Sequence, residues 1–190
     1  MAATKSQMIP LGSIAPDFKL LDTSTNKLTD LSQLKGDKAT VILFICNHCP
    51  FVIHINTALV KLTKVYQELG VSFIAISSND IEKYPEDAPH LMTDFARKEG
   101  YNFPYLYDED QSVAKAYNAA CTPDIYVYDK NLKLAYRGRF DESRPNMGIA
   151  SGHDLAIALD EILTFGKVST QQIPSIGCGI KWKHSIFIKK

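Results

Sequence analysis

The sequence predicts an α/β fold, a mixed central sheet flanked by helices, with an N-terminal hairpin and a C-terminal extension. Three observations predict it. Thr40–Ile45 and Val71–Ser77 are apolar on both faces, the mark of strands covered above and below. Between them Val52, Ile55, Leu59, Leu62, Tyr66 and Leu69 recur at alternating spacings of three and four, one face of a helix. Such a strand–helix–strand unit with short joints is right-handed and its strands are parallel. Ile125–Asp129 and Leu132–Arg137 flank a Lys130-Asn131 turn and read as an antiparallel hairpin, so the sheet is mixed.

The remaining elements follow in order. Residues 1–16 are polar, broken by Pro10, Gly12 and Pro16, and read as an arm. Phe18–Leu21 and Lys27-Leu28 form a short hairpin around residues 22–26. Lys35-Gly36-Asp37 is a surface turn, and Gly70 ends the long helix. Residues 78–90 carry Pro85 and Pro89 and read as a loop. Leu91, Met92 and Phe95 mark a helix ending at Gly100, and Asp110 caps another that buries Val113, Ala114 and Tyr117. Residues 141–152 form a loop with proline and glycine. Leu155, Leu159, Ile162 and Leu163 give the last helix, stopped at Gly166. The main domain is expected over residues 10–166 and the extension over 167–190, which has no helical period and holds Trp182.

Composition excludes several classes of function. The chain has 190 residues, with 21 basic and 21 acidic side chains, so no net field draws nucleic acid or an anionic membrane. No apolar run approaches the roughly 18 residues a membrane span needs. The first twenty residues hold no continuous apolar segment, so no signal peptide is expected and the cytoplasm is the expected compartment. In a reducing compartment the cysteines, Cys46, Cys49, Cys121 and Cys178, point to catalysis, metal binding or burial rather than structural disulfides.

The chemistry concentrates where the run Val41–Cys46 breaks into Asn47-His48-Cys49-Pro50. Proline favours the first helical position, which makes Cys49 the N-cap residue. There the unpaired amides of the first turn and the helix dipole stabilise a thiolate, the reactive form of cysteine. The competing register, with Cys46 at the cap, moves Pro50 toward a position whose N–H the helix needs. Cys49 is therefore the candidate nucleophile. Cys46 is either its disulfide partner or the last buried residue of the strand. His48 either tunes the thiolate, as a cation or as a base, or is an exposed loop residue. His54 falls on the polar face of the helix and reads as solvated. A zinc site through Cys46, Cys49 and a histidine is disfavoured, because the chain has no second C-x-x-C pair. No metal and no cofactor is expected. Arg137 and Arg139 either meet an anionic substrate or stabilise the thiolate, or they form surface pairs with residues such as Asp141, the favoured reading. Cys178, between Gly177 and Gly179, is either a swinging resolving thiol or a tail cysteine packed beside Trp182.

Three segments carry a resemblance: Ala15-Pro16-Asp17-Phe18, Asn47-His48-Cys49-Pro50-Phe51 and Cys121-Thr122-Pro123-Asp124. The chain resembles the thioredoxin-fold redoxins, closest to the peroxiredoxin-like branch of the alkyl hydroperoxide reductase and thiol-specific antioxidant family. Residues 136–141 and the segment from Gly177 to Trp182 are similar to later parts of the same subgroup. The resemblance implies that Cys49 is the nucleophile and that Pro123 is a cis-proline facing it. It also implies that Thr122 offers backbone hydrogen bonds to a substrate chain and that Cys121 lies near Cys49 in space. In the P-x-x-x-T-x-x-C pattern of peroxiredoxins, this chain has Ile42 for the proline and Cys46 for the threonine. The resolving thiol is then Cys46, Cys121 or Cys178. The implied activity is thiol–disulfide exchange, with thiol-dependent reduction of hydroperoxides and redox sensing without turnover as alternatives. The implied partners are a disulfide-containing protein, a small thiol or hydroperoxide, and a thiol reductant, and the reading leaves room for a homodimer.

Overall fold

The computed structural model describes residues 3–169 and 171–183. Seven strands form one sheet in the order β3-β2-β6-β5-β4-β8-β9. They are β2 (Lys19–Asp22), β3 (Lys27–Asp30), β4 (Ala39–Phe44), β5 (Val71–Ser77), β6 (Tyr105–Tyr107), β8 (Asp124–Asp129) and β9 (Leu134–Gly138). The pairs β4–β5 and β5–β6 are parallel and the others antiparallel, so the sheet is mixed as the sequence predicts. Helix α2 (Pro50–Glu68) carries the chain from β4 to β5.

The alternation of side chains along β4 explains why the whole strand is apolar. Val41 and Leu43 face one core with Val52, Ile55 and Leu59 of α2, Met92 of α3 (Pro89–Glu99), and Leu155 and Leu159 of α5 (His153–Phe165). Ile42 and Phe44 face the other core with Leu31 of α1 (Leu31–Leu34), Val113 and Ala114 of α4 (Ser112–Ala116), and Tyr117 at its C-cap. Both faces are roofed by helices, so each residue of the strand is buried.

A second sheet holds three strands in the order β1-β10-β7. These are β1 (Ala3–Lys5), β7 (Cys121–Thr122) and β10 (Ile176–Gly179). The arm is therefore a strand at its start, and the extension returns to the body of the protein. Arg139 N–H bonds the Ile173 carbonyl at 2.8 Å and Ser6 N–H bonds the Ser175 carbonyl at 2.9 Å. Three- and four-residue strands, β6 among them, are too short to print an alternation on the sequence.

Other boundaries differ for local reasons. Helix α3 starts at Pro89, because a proline is at home in the first turn. Gln111, not Asp110, is the N-cap of α4, and the Asp110 carboxylate instead accepts the Ser112 N–H at 2.9 Å. Strand β9 starts at Leu134, since Leu132 takes a left-handed φ of 58° inside the turn. Among the described residues no helix is long and apolar enough to cross a membrane.

Candidate active site

Strand β4 delivers the chain to the sheet's carboxyl edge, and residues 45–49 turn it into α2. Asn47 fixes this turn. Its N–H bonds Asp87 Oδ1 at 2.8 Å, its side-chain amide bonds the Glu86 carbonyl at 2.8 Å, and its Oδ1 accepts the Tyr105 hydroxyl at 3.1 Å. Cys49 is the N-cap residue and Pro50 opens the helix, as the sequence predicts. The cap works differently from expectation, however. The Cys49 sulfur makes no regular capping hydrogen bond and turns across to the cis Thr122–Pro123 peptide, where its S–H donates to the Thr122 carbonyl at 3.0 Å.

All four cysteines are free and buried, and all of them converge here. The Cys46 sulfur lies 3.6 Å from the Thr122 hydroxyl. Cys178 pairs with Thr122 across the β7–β10 ladder, and Gly179 pairs with Cys121. Cys121 Sγ lies 3.6 Å from the Pro123 carbonyl oxygen and 3.8 Å from the Ser6 hydroxyl. Thr122, which the resemblance assigns to a substrate chain, thus already has a β-partner within its own chain. Neither sequence reading of Cys178 describes it: it is held in a strand beside Cys49, while Trp182 meets the Lys115 ammonium at 6.0 Å. The flanking glycines serve close approach rather than swing. A Cβ on Gly177 would stand 2.0 Å from the Thr122 carbonyl oxygen.

The thiols divide a proton unequally. Donation from the Cys46 S–H holds Cys49 down to about 5, against burial, with help from the Thr122 hydroxyl and the Cys178 and Val52 amides. Ionised Cys49 accepts those bonds, whereas its thiol form uses the Thr122 carbonyl instead. Cys46 is correspondingly pushed well up, by its bond to Cys49, by burial and by the Asp87 charge. Burial and the Cys49 charge raise Cys178 to about 11, and burial raises Cys121 too. Cys49 is therefore the one thiolate of the cluster near neutral pH.

His48 is half-buried and stacks on Tyr84, with ring centroids 5.6 Å apart and planes 7° from parallel. Its Nδ1 lies 2.8 Å from Asp87 Oδ2, and the Asp87 carboxylate raises its pKa. His54 bonds the Ser143 hydroxyl at 2.8 Å rather than standing free in solvent. Asp87 itself, wholly buried, is the site residue that sequence reasoning missed. It sits in a segment read as loop, and nothing local ties it to a turn 40 residues away.

Arg137 requires a correction. It is no surface residue and does not pair with Asp141. Its guanidinium is fully buried, grips the buried Asp124 carboxylate with both terminal nitrogens and lies 3.8 Å from the Tyr126 ring centre. Its charge is thus committed to Asp124 rather than offered to an anionic substrate. Arg139 pairs with Asp154 at 2.5 Å. Asp141 instead gathers the N–H groups of Ser143, Ser151 and Gly152 at 2.7–2.8 Å and staples its own loop. A signal was present: Asp124 at the start of β8 and Arg137 in β9 stand among apolar neighbours, and an acid and a base so placed need each other once both are buried.

Known proteins are similar to this chain. The crystal structure of an uncharacterized conserved protein from Geobacillus kaustophilus is 55% identical, covers 97% of this chain and 98% of its own, and superposes with a TM-score of 0.94. Peroxidoxin BcpB from Mycobacterium tuberculosis, 20% identical over 83% of this chain and 99% of its own, has a TM-score of 0.61 and the same thioredoxin-like fold. The thiol-disulfide oxidoreductase ResA of Geobacillus kaustophilus (strain HTA426) is 28% identical over 129 residues, 67% of this chain and 68% of that one. The AhpC/TSA family model matches residues 11–137, a span that runs from the segment before β2 through the cysteine turn and the cis-proline into β9. With that span matched, and with Cys49 at the head of α2 facing that proline, the chain belongs to the AhpC/TSA family.

Proposed function

We propose that the protein is a thiol–disulfide oxidoreductase with Cys49 as nucleophile and Cys46 as resolving thiol. One observation carries the reading: the Cys49 sulfur stands at the head of α2, against the cis Thr122–Pro123 peptide, with the Cys46 thiol as its hydrogen-bond donor. The Cys49 thiolate attacks one sulfur of a substrate disulfide and forms a mixed disulfide. The other substrate sulfur leaves as a thiolate and takes a proton. Cys46 then loses its proton and attacks Cys49, which releases the second substrate thiol and leaves a Cys46–Cys49 disulfide. A thiol reductant returns both cysteines to the starting state. Free thiols suit a reducing compartment such as the cytoplasm.

The burial of Cys49 and the occupied β-edge at Thr122 favour a small substrate over an extended protein chain. The same burial supports a second reading, in which a hydroperoxide oxidises Cys49 to a sulfenic acid and Cys46 condenses with it, releasing water. The test feeds reduced protein either a small disulfide reporter or hydrogen peroxide. Under the first reading Cys46→Ser traps a mixed disulfide on Cys49, and Cys49→Ser traps none. Peroxide turnover that needs Cys49, with no disulfide reduction, selects the second. A single oxidation with no turnover under a thiol reductant selects redox sensing.

A further inference from the structure

We propose that Cys46, His48 and Asp87 form a binding site for a zinc-class divalent cation in the reduced protein. A cysteine sulfur, an imidazole nitrogen and a carboxylate oxygen from these residues lie within 4.8 Å of one another. A tetrahedral zinc with bonds of about 2.0–2.3 Å keeps its donor atoms about 3.3–3.7 Å apart. The pair at 2.8 Å, His48 Nδ1 and Asp87 Oδ2, therefore opens slightly and the widest pair closes by about an ångström.

Three features of the surroundings favour a cation. Both ring nitrogens of His48 are shielded from water; Nδ1 already faces Asp87 Oδ2 at 2.8 Å, inside the cluster itself, and Nε2 makes no hydrogen bond. The Asp87 carboxylate is held from behind by the Asn47 N–H and the Asn79 side-chain amide, both at 2.8 Å, the outer support that ligating carboxylates use. The Tyr84 ring fixes the imidazole plane. A mixed sulfur, nitrogen and oxygen donor set suits zinc better than the hard cations magnesium and calcium. The sequence hid the site because its third ligand comes from beyond β5, at no metal-site spacing from the other two. Binding displaces the Cys46 proton to solvent and leaves the fourth position open.

Binding itself is independent of the proposed activity, but its consequence rests on that reading. A Cys46 thiolate held by metal cannot attack Cys49, so the bound cation and the Cys46–Cys49 disulfide exclude each other. The test titrates reduced, chelator-treated full chain with zinc against a chromophoric chelator, and with cobalt by absorption. One metal per chain is expected, with a thiolate-to-cobalt charge-transfer band. Cys46→Ser, His48→Gln and Asp87→Asn should each weaken binding at least tenfold, and Cys49→Ser should keep it. His48→Gln guards against the case in which Asp87→Asn fails to fold. Oxidation to the Cys46–Cys49 disulfide should release the metal. No stoichiometric binding, or binding that Cys49→Ser abolishes while His48→Gln spares it, would overturn the site. Disulfide-reporter turnover of the metal-free protein tests the oxidoreductase reading separately.

Discussion

Cys178 stands directly across the β7–β10 ladder from Thr122, the residue whose carbonyl accepts a hydrogen bond from the Cys49 thiol at 3.0 Å. The strand that carries Cys178 therefore borders the reactive sulfur, and its amide is one of the groups that hold Cys49 low. The ionisation of Cys49 depends on a segment 129 positions further along the chain as well as on its own helix.

The reactivity of Cys49 should follow its depressed ionisation. Below about 5 it carries its proton and is inert, and above that pH it is a thiolate, although a free thiol ionises only near 9.0. In chelator-treated protein, the rate of Cys49 alkylation should rise through pH 5 and level off before pH 7. Cys46→Ala removes the largest stabilising donor, so its alkylation profile should move to higher pH. A profile that stays in place in Cys46→Ala would reject the donor role.

Gly177→Ala should loosen the roof over the site. The added methyl would meet the Thr122 carbonyl oxygen at 2.0 Å and its carbon at 2.7 Å, both main-chain atoms that cannot step aside. Overpacking of this kind costs about 1–3 kcal/mol. Urea denaturation should show that loss, and β10 should yield before the cis-proline loop does. Cys49 should then react faster with a bulky maleimide than in the parent protein at equal pH.

Arg137→Met should be among the most destabilising changes in the chain. Both partners of the Arg137–Asp124 pair are 0% exposed, so water offers no screening and removal of the cation strands a buried carboxylate. Breaking such a pair costs about 3–5 kcal/mol. Asp124 also accepts the Ser6 hydroxyl at 2.6 Å and the Ala120 N–H at 3.0 Å, so the damage should reach β1 and the turn before the cis-proline. Amide hydrogen exchange should report faster opening there than in β5.

The His48–Asp87 pair should give the reduced, metal-free protein a characteristic pH response. His48 has its pKa raised above 6.5 in the fold by the Asp87 carboxylate. A raised folded value favours the protonated native state, so this contribution is complete below 6.5 and fades as pH climbs through the folded value. Asp87→Asn removes the cause, and the His48 ring resonances in NMR should titrate at lower pH than in the parent. An unchanged midpoint would reject the coupling.

Much of this architecture was legible because it repeats. Strand β4 advertises itself through two interleaved apolar sets, and α2 through a stripe more than four turns long. Pro50 alone was enough to put Cys49 at the helix head. What the sequence concealed is set by pairs with no shared local pattern. Asn47 and Asp87 are 40 residues apart, and Ser6 and Asp124 are 118 apart. Each contact is a single hydrogen bond between polar residues that in isolation read as loop. Cys178 was hidden more thoroughly, since glycines at 177 and 179 suggest looseness until a neighbouring backbone is seen pressed against one of them.

The stitched return of residues 171–181 also governs how the molecule can be handled. A protease cut after α5 would not shorten a dispensable tail. It would lift the lid from a shielded sulfur and turn a selective reagent into an indiscriminate one, prone to overoxidation and to cross-linking with any thiol it meets.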